Sequence, residues 1–347
     1  MAIIGTVRRR RLAGLALLAG LPALLILGVA VGSRTISPIT AYSALEHALT
    51  CPDGLFRCMA RSTDEQIVRG MRLPRTALAA VTGMALGLTG ALIQGYTRNP
   101  LADGGLLGLT AGASFLCALG TSLFALTTPV QYIWLAFAGT LLAGLAVFAT
   151  SGVGMGRGGP LGLILAGAAM TAFLQALTDA IVTLDANVLD SYRFWVIGDM
   201  GGRDASVFWQ ILPFLVVGMV LALAAAPGLN LLGLGDDMAR GLGVHIGRSR
   251  ALGLTAVVLL CGAATAAVGP IAFLGLAAAH IARSCTGPDH RWLLPYSALF
   301  GAAVLLIADI AGRIVARPAE LQAGMMLSLL GVPFFIALVR RRKAVNP

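Results

Sequence analysis

Lysine is almost absent from this chain: Lys343 is the only one among 347 residues. A P-loop needs G-x-x-x-x-G-K-[ST], and Lys343 stands in "RRRKAVNP" without a glycine frame, so the chain hydrolyses no ATP by that route. Histidine is nearly as scarce. His47, His245, His280 and His290 lie far apart with no H-E-x-x-H or comparable ligand spacing, which leaves a metallo-enzyme unsupported. Charge as a whole is thin, 12% of residues against 58% hydrophobic, with a mean hydropathy of +0.87. These values exclude a soluble globular domain. What is present instead is apolar sequence in lengths suited to a bilayer, whose core about 30 Å thick takes roughly 20 residues per helical span.

Ten such spans are expected, an all-α polytopic membrane protein in one domain over residues 1–347: 12–32, 73–94, 106–126, 131–150, 161–184, 207–226, 251–268, 270–283, 293–312 and 321–339. The first apolar run, behind arginines 8 to 11, is longer than the 7 to 15 residues of a signal peptide and reads as an uncleaved span. Residues 252–283 are too long for one crossing and short for two, and Gly269-Pro270 in their middle marks a tight turn or a kink. Arginines flank that stretch on both sides, which favours an even number of crossings and places both termini in the cytoplasm. The net charge of +10 resides almost wholly in arginines at the ends of apolar runs, where the positive-inside rule and anionic lipid account for it. Nothing resembles an interleaved basic and aromatic nucleic-acid surface.

Between two spans lies a polar island, "LGLGDDMARGLGVHIGRSR" from Leu232 to Arg250, on the inner side of this topology. Leu234, Met238 and Leu242 recur at i, i+4 and i+8, while Asp236, Asp237 and Arg240 project elsewhere, the pattern of a short amphipathic helix. The residues alone fit either a solvated loop with one helical turn or a docking helix for a cytoplasmic partner. At the outer side Arg72 and Arg75 flank Pro74, either snorkelling to phosphate or meeting an acidic partner. Cys51 and Cys58 bracket a Pro-Asp-Gly turn in the outer loop 33–71, and a disulfide there would brace the loop. In "MTAFLQALTDAIV" the residues Thr171, Gln175 and Thr178 share a face with Asp179 beside it, so the stripe serves as interhelical glue or lines a pathway. Asp309 stands four residues before Arg313 and reads as its structural partner.

Five colinear blocks carry a resemblance: "RLPRTALAA", "NPLADGGLLGLTAGASF", "GDDMARGLGV", "GPIAFLGLAAAHIARSCTGPDHRWLLPYSALFGA" and "ADIAGRIVARPAELQAGMMLSLLGVPFF". In order and spacing, over about residues 65 to 343, they resemble the iron-chelate and vitamin-B12 type ABC importer permeases, the FecCD family. "CGAATAAVGPIAFLGL", "YRFWVIGD" and "DHRWLLP" look most like a membrane subunit of ferric-enterobactin importers. Ala279, Gly104 and Gln322 stand where the family usually has proline.

The resemblance implies a type II importer fold of ten spans. It also implies a cytoplasmic ABC ATPase dimer that uses ATP and Mg, a second permease subunit, with a different chain favoured over a copy, and a periplasmic or lipoprotein substrate-binding protein. By that analogy Asp236, Asp237, Met238, Arg240, Leu242 and Val244, within segment 232–250, form the ATPase-coupling segment. Arg72, Arg75 and Arg313 receive the binding protein, Thr171, Gln175, Thr178 and Asp179 line the path, and Gly154, Met155 and Gly156 belong to the inner gate. The chain itself would hold no cofactor or metal and catalyse nothing. It would carry a ferric siderophore into a bacterial cell across the inner membrane, with haem, cobalamin or another siderophore as alternative cargo. An ion-coupled carrier using Asp179 and Asp309 is the rival mechanism.

Overall fold

The computed structural model describes residues 2–32, 36–50, 62–124, 126, 129–152 and 159–343, all of them helical or in loops with no strand. In chain order the helices are α1 (Ala2–Ala30), α2 (Pro38–Leu49), α3 (Thr63–Ile67), α4 (Leu73–Thr97), α5 (Leu109–Phe124), α6 (Pro129–Thr150) and α7 (Pro160–Leu184). They continue with α8 (Ala186–Val196), α9 (Ala205–Leu232), α10 (Asp236–Gly241), α11 (Ile246–Val268), α12 (Leu274–Thr286), α13 (His290–Val315) and α14 (Ala323–Lys343). A π turn, Val68–Arg72, welds α3 to α4, and a 3-10 turn, Gly104–Leu107, precedes α5.

Each of the ten expected spans coincides with a helix. Seven helices are long and apolar enough to cross a bilayer, whereas α5, α12 and the apolar part of α14 are shorter. The stretch 252–283 resolves in favour of a turn. α11 stops at Val268, Gly269 takes φ 81 and Phe273 φ 65, and α12 restarts at Leu274 and runs only 13 residues. Pro270 offers no N–H to a continued helix, and the positive-φ residues at both ends of the break redirect the chain.

Polar residues at segment ends set the boundaries. Ser37 accepts from Thr40 N–H at 3.2 Å and starts α2, with Pro38 in its first turn. Asp185, Asp204 and Asp289 cap α8, α9 and α13 in the same way. The helices α2 and α8 lie in segments that the sequence pattern left as loops.

The most enclosed span is α4, surrounded by α9, α11, α12 and α13. Glycine makes this possible. A Cβ at Gly83 or Gly87 would strike the α13 backbone at Gly301 and Ser297, and one at Gly90 would strike Gly275 of α12. Such small-residue contacts replace the hydrophobic drive that lipid withholds between helices. The small-residue face of α4 is therefore the α4–α13 seam. Around this centre α1 and α7 are peripheral, with most of their apolar surface facing outward.

Candidate functional site

At the end of the bundle expected to face the cytoplasm the polar island folds into a compact projection. α9 ends at Leu232, Gly235 turns the chain at φ 112, α10 makes little more than one turn, and Gly243 at φ 83 leads into α11. Ala239 is fully buried beneath α10, while Leu234, Met238 and Leu242 are about 60% exposed, at 60%, 62% and 57%. The apolar row expected from the sequence therefore points away from the protein. Asp237 is almost wholly exposed and pairs with Arg240 at 3.0 Å.

Two of the six expected coupling residues turn the other way. Val244 is half-buried against the core. The Asp236 carboxylate faces inward, with Oδ1 accepting from Arg98 at 2.8 Å and Oδ2 from Arg250 at 2.8 Å. The helical period is the reason: a two-sided turn of six residues cannot present every side chain to one partner.

The outer mouth departs further from expectation. Arg72, Arg75 and Arg313 are 5%, 9% and 1% exposed. Arg72 donates to the carbonyls of Val29 and Ala30 at the end of α1, at 3.3 and 2.7 Å. Arg313 donates to Gly28 O at 2.7 Å and Val31 O at 3.2 Å and pairs with Asp309. Arg75 joins Asp309 at 2.8 Å and Glu320 at 2.5 Å. Arg317 adds a bond to Gly32 O at 2.9 Å. These guanidinium groups answer the orphan carbonyls of α1 and one buried carboxylate instead of facing an outside surface. Asp309 meets Arg313 as expected and Arg75 as well.

Between these ends lies a cavity of about 680 Å³. Its polar lining comes from Thr110, Ser114, Thr171, Gln175, Tyr192 and Ser328, with the Gly105 backbone and Pro270 in its walls. Tyr192 bonds Ser114 and Gln175. Its hydroxyl, on the short helix α8, is pushed above its ordinary pKa by burial, against those two hydrogen bonds, and stays a neutral donor. Of the expected stripe, Thr171 and Gln175 reach the cavity. Asp179 lies on the exposed side of α7 and accepts from Gln175 at 2.8 Å. Thr178 is fully buried and bonds Leu174 O at 2.8 Å, so it does not line the path. Its hydroxyl is satisfied by its own helix, as threonine commonly is in apolar surroundings.

The FecCD transport family model matches residues 20–341. The chain belongs to the FecCD transport family. It is 44% identical to the ferric enterobactin transport system permease protein FepD of Escherichia coli (strain K12), covering 87% of this chain and 92% of that protein. It is 40% identical to the iron(3+)-hydroxamate import system permease protein FhuB of Bacillus subtilis (strain 168), covering 86% of this chain and 77% of that protein. Among solved structures it is similar to a metal-chelate type ABC transporter in an inward-facing conformation. That likeness has a TM-score of 0.75 at 26% identity and covers 93% of this chain and 98% of the other.

As a FecCD permease the chain is an all-helical, multi-pass membrane protein whose relatives are permease components of ABC importers. Gly154, Met155 and Gly156, the expected inner gate, and Cys51 and Cys58, the expected disulfide, lie outside the described residues. Among the described residues Cys117, Cys261 and Cys285 are free thiols, and no cluster of potential metal ligands occurs.

Sequence reading passed over Arg98, Asp103, Tyr192 and Arg250. Only Asp103 gave a local signal, an Asp ahead of Gly-Gly in "NPLADGG", where it caps the 3-10 turn and accepts from Gly105 N–H at 3.0 Å. The others are functional by what they touch across the fold.

Proposed function

We propose that this chain is the membrane-embedded permease subunit of a bacterial ABC importer that carries a ferric siderophore inward, a catecholate chelate of the enterobactin class. The observation that carries the reading is the exposed row Leu234, Met238 and Leu242 on and beside α10, in a chain with no P-loop of its own. An apolar row on a polar inner face marks a contact for another protein. Similarity to the ferric enterobactin permease over nearly the whole of both chains supports the cargo. The similar hydroxamate permease favours ferric hydroxamates as the second candidate.

In this reading ten spans cross the bacterial plasma membrane with both termini inside. A separate ATPase dimer uses ATP and Mg and grips Met238, Leu242, Asp237 and Arg240, while this chain performs no bond chemistry. Closure of the ATPase shifts a two-state permease pair between outward and inward openings. The cavity wall of hydroxyls and an amide suits this task. It wets a bulky anionic chelate without a cationic clamp that would retain it. The polar face of α7 meets the second permease, a related but different chain. A substrate-binding protein sits over the α13–α14 loop that Arg75 holds through Glu320. The inner loop around Gly154, Met155 and Gly156 closes the path, and a Cys51–Cys58 disulfide braces the outer loop.

Reconstitution in proteoliposomes tests the reading. Radio-iron-labelled ferric enterobactin should enter only when the ATPase, ATP and the binding protein are all present, and faster than ferric hydroxamates or haemin. Uptake driven by an ion gradient alone would overturn it in favour of a secondary carrier. ATP-dependent uptake that prefers the hydroxamates would change the cargo and leave the machinery.

A further inference from the structure

The Asp236 carboxylate that turns away from the docking surface joins the inner ends of four helices. Its two oxygens hold Arg98 at the end of α4 and Arg250 at the start of α11, and Arg98 also donates to Leu232 O at the end of α9, at 2.7 Å. Arg250 is 2% exposed, so its guanidinium is fixed by its surroundings. Arg98 is the left-handed cap of α4 at φ 50 and opens a segment with few loose joints. Asn99 N–H donates to Thr97 Oγ1 at 3.3 Å, Leu101 N–H to Asn99 Oδ1 at 3.0 Å and Ala102 N–H to Asn99 O at 3.1 Å.

The segment ends on a second inward carboxylate. Asp103 accepts from the backbone of Gly105, Leu106 and Phe273 and so fastens the 3-10 turn to the α11–α12 break. Both pieces are cavity wall: Gly105 on one side, Pro270 and Ala272 on the other. Gly105 O accepts in turn from Thr171 of α7 at 3.2 Å.

We propose that residues 98–105 form a strut that transmits displacement of α10 to the cavity wall, with Asp236–Arg98 as its inner joint and Asp103 as its outer joint. It rests on the reading of α10 as the ATPase contact. Physical continuity alone does not establish coupling, so the decisive quantity is the effect of each joint on transport per ATP hydrolysed. Arg98, Asp103 and Asp236 are positioning residues here, since none of them faces the partner or the cavity interior.

The test uses the complete complex in proteoliposomes, with ferric enterobactin as cargo and ATP hydrolysis recorded in the same vesicles. Arg98→Gln removes one half-exposed arm and leaves the Asp236–Arg250 pair intact. It should lower import per ATP about tenfold, within the usual span of coupling energies. Asp103→Asn should do the same, and the double variant should be no worse than either alone, because two joints in series fail as one. Arg98→Lys should recover part of the ratio.

A second readout covers the case in which Asp103→Asn does not fold. Spin labels at Leu101 and Leu329 should change separation when ATP and Mg are added to the wild-type complex and keep a fixed separation in Arg98→Gln. An unchanged import ratio in Arg98→Gln, multiplicative losses in the double variant, or an undiminished ATP-driven distance change would each overturn the strut. A wild-type complex that imports nothing on ATP would instead overturn the functional reading beneath it.

Discussion

A guanidinium at the outer end of a membrane bundle is tolerated only where its charge and its donors are met. Arg313 meets Asp309, which is itself 0% exposed, together with two carbonyls from the end of α1. Removing one partner of such a pair leaves a buried charge uncompensated, at a cost of about 3–5 kcal/mol. Arg313→Ala should therefore lower the thermal stability of the purified permease sharply, since Arg75 alone answers Asp309. Binding-protein affinity of the surviving folded fraction should change little with salt. Intact stability with a salt-dependent loss of docking would restore the arginine to direct contact with the binding protein. The sequence located these arginines at the mouth and misjudged what they face. Their partners are the reason: the carbonyls at the end of α1 that meet Arg72 and Arg313, and the Asp309 and Glu320 that meet Arg75, lie far away in sequence, where no local period reveals them.

At the level of elements the most legible feature was among the shortest. The i, i+4, i+8 row emerges exposed, with Met238 on α10 and Leu234 and Leu242 just beyond its two ends, and Gly235 and Gly243 bound the turn. Met238→Asp with Leu242→Asp should cut recovery of the ATPase with the permease by about tenfold or more, as the loss of a central apolar anchor does. The helical content of the permease should be unchanged, since both side chains are already exposed. Undiminished recovery would place the ATPase contact elsewhere. The glycines of α4 take their meaning from the partners that the fold places against them on α12 and α13. The two missed helices were not legible for a physical reason. α2 and α8 begin at Ser37 and Asp185, residues that serve loops and caps alike, and neither carries an apolar run long enough to read as a span.

On the scale of the whole molecule, the burial of α7 conflicts with its chemistry. It is among the least enclosed spans, yet its outward side bears Gln175 and Asp179, bonded to each other. A charged side chain at mid-membrane costs roughly 2.5–3.5 kcal/mol on insertion scales, so this face does not belong in lipid. α1 is equally peripheral, but from Leu12 onward the side that Leu15 and Leu18 expose is apolar and suits lipid well. The two peripheral helices thus differ in the surface they present, and in the proposed assembly the side of α7 that opens beside the cavity is where a second permease chain closes the path. A photo-reactive phenylalanine analogue at Ala176, an exposed position between Gln175 and Asp179's turn, should cross-link to another permease chain in the assembled complex. The same group at Leu18 should capture lipid only. Mass spectrometry of the Ala176 product then separates a copy of this chain from a different one. Lipid capture at both positions would mean that α7 is not the seam, and Asp179 would then need a water-filled pocket within this chain to account for its place.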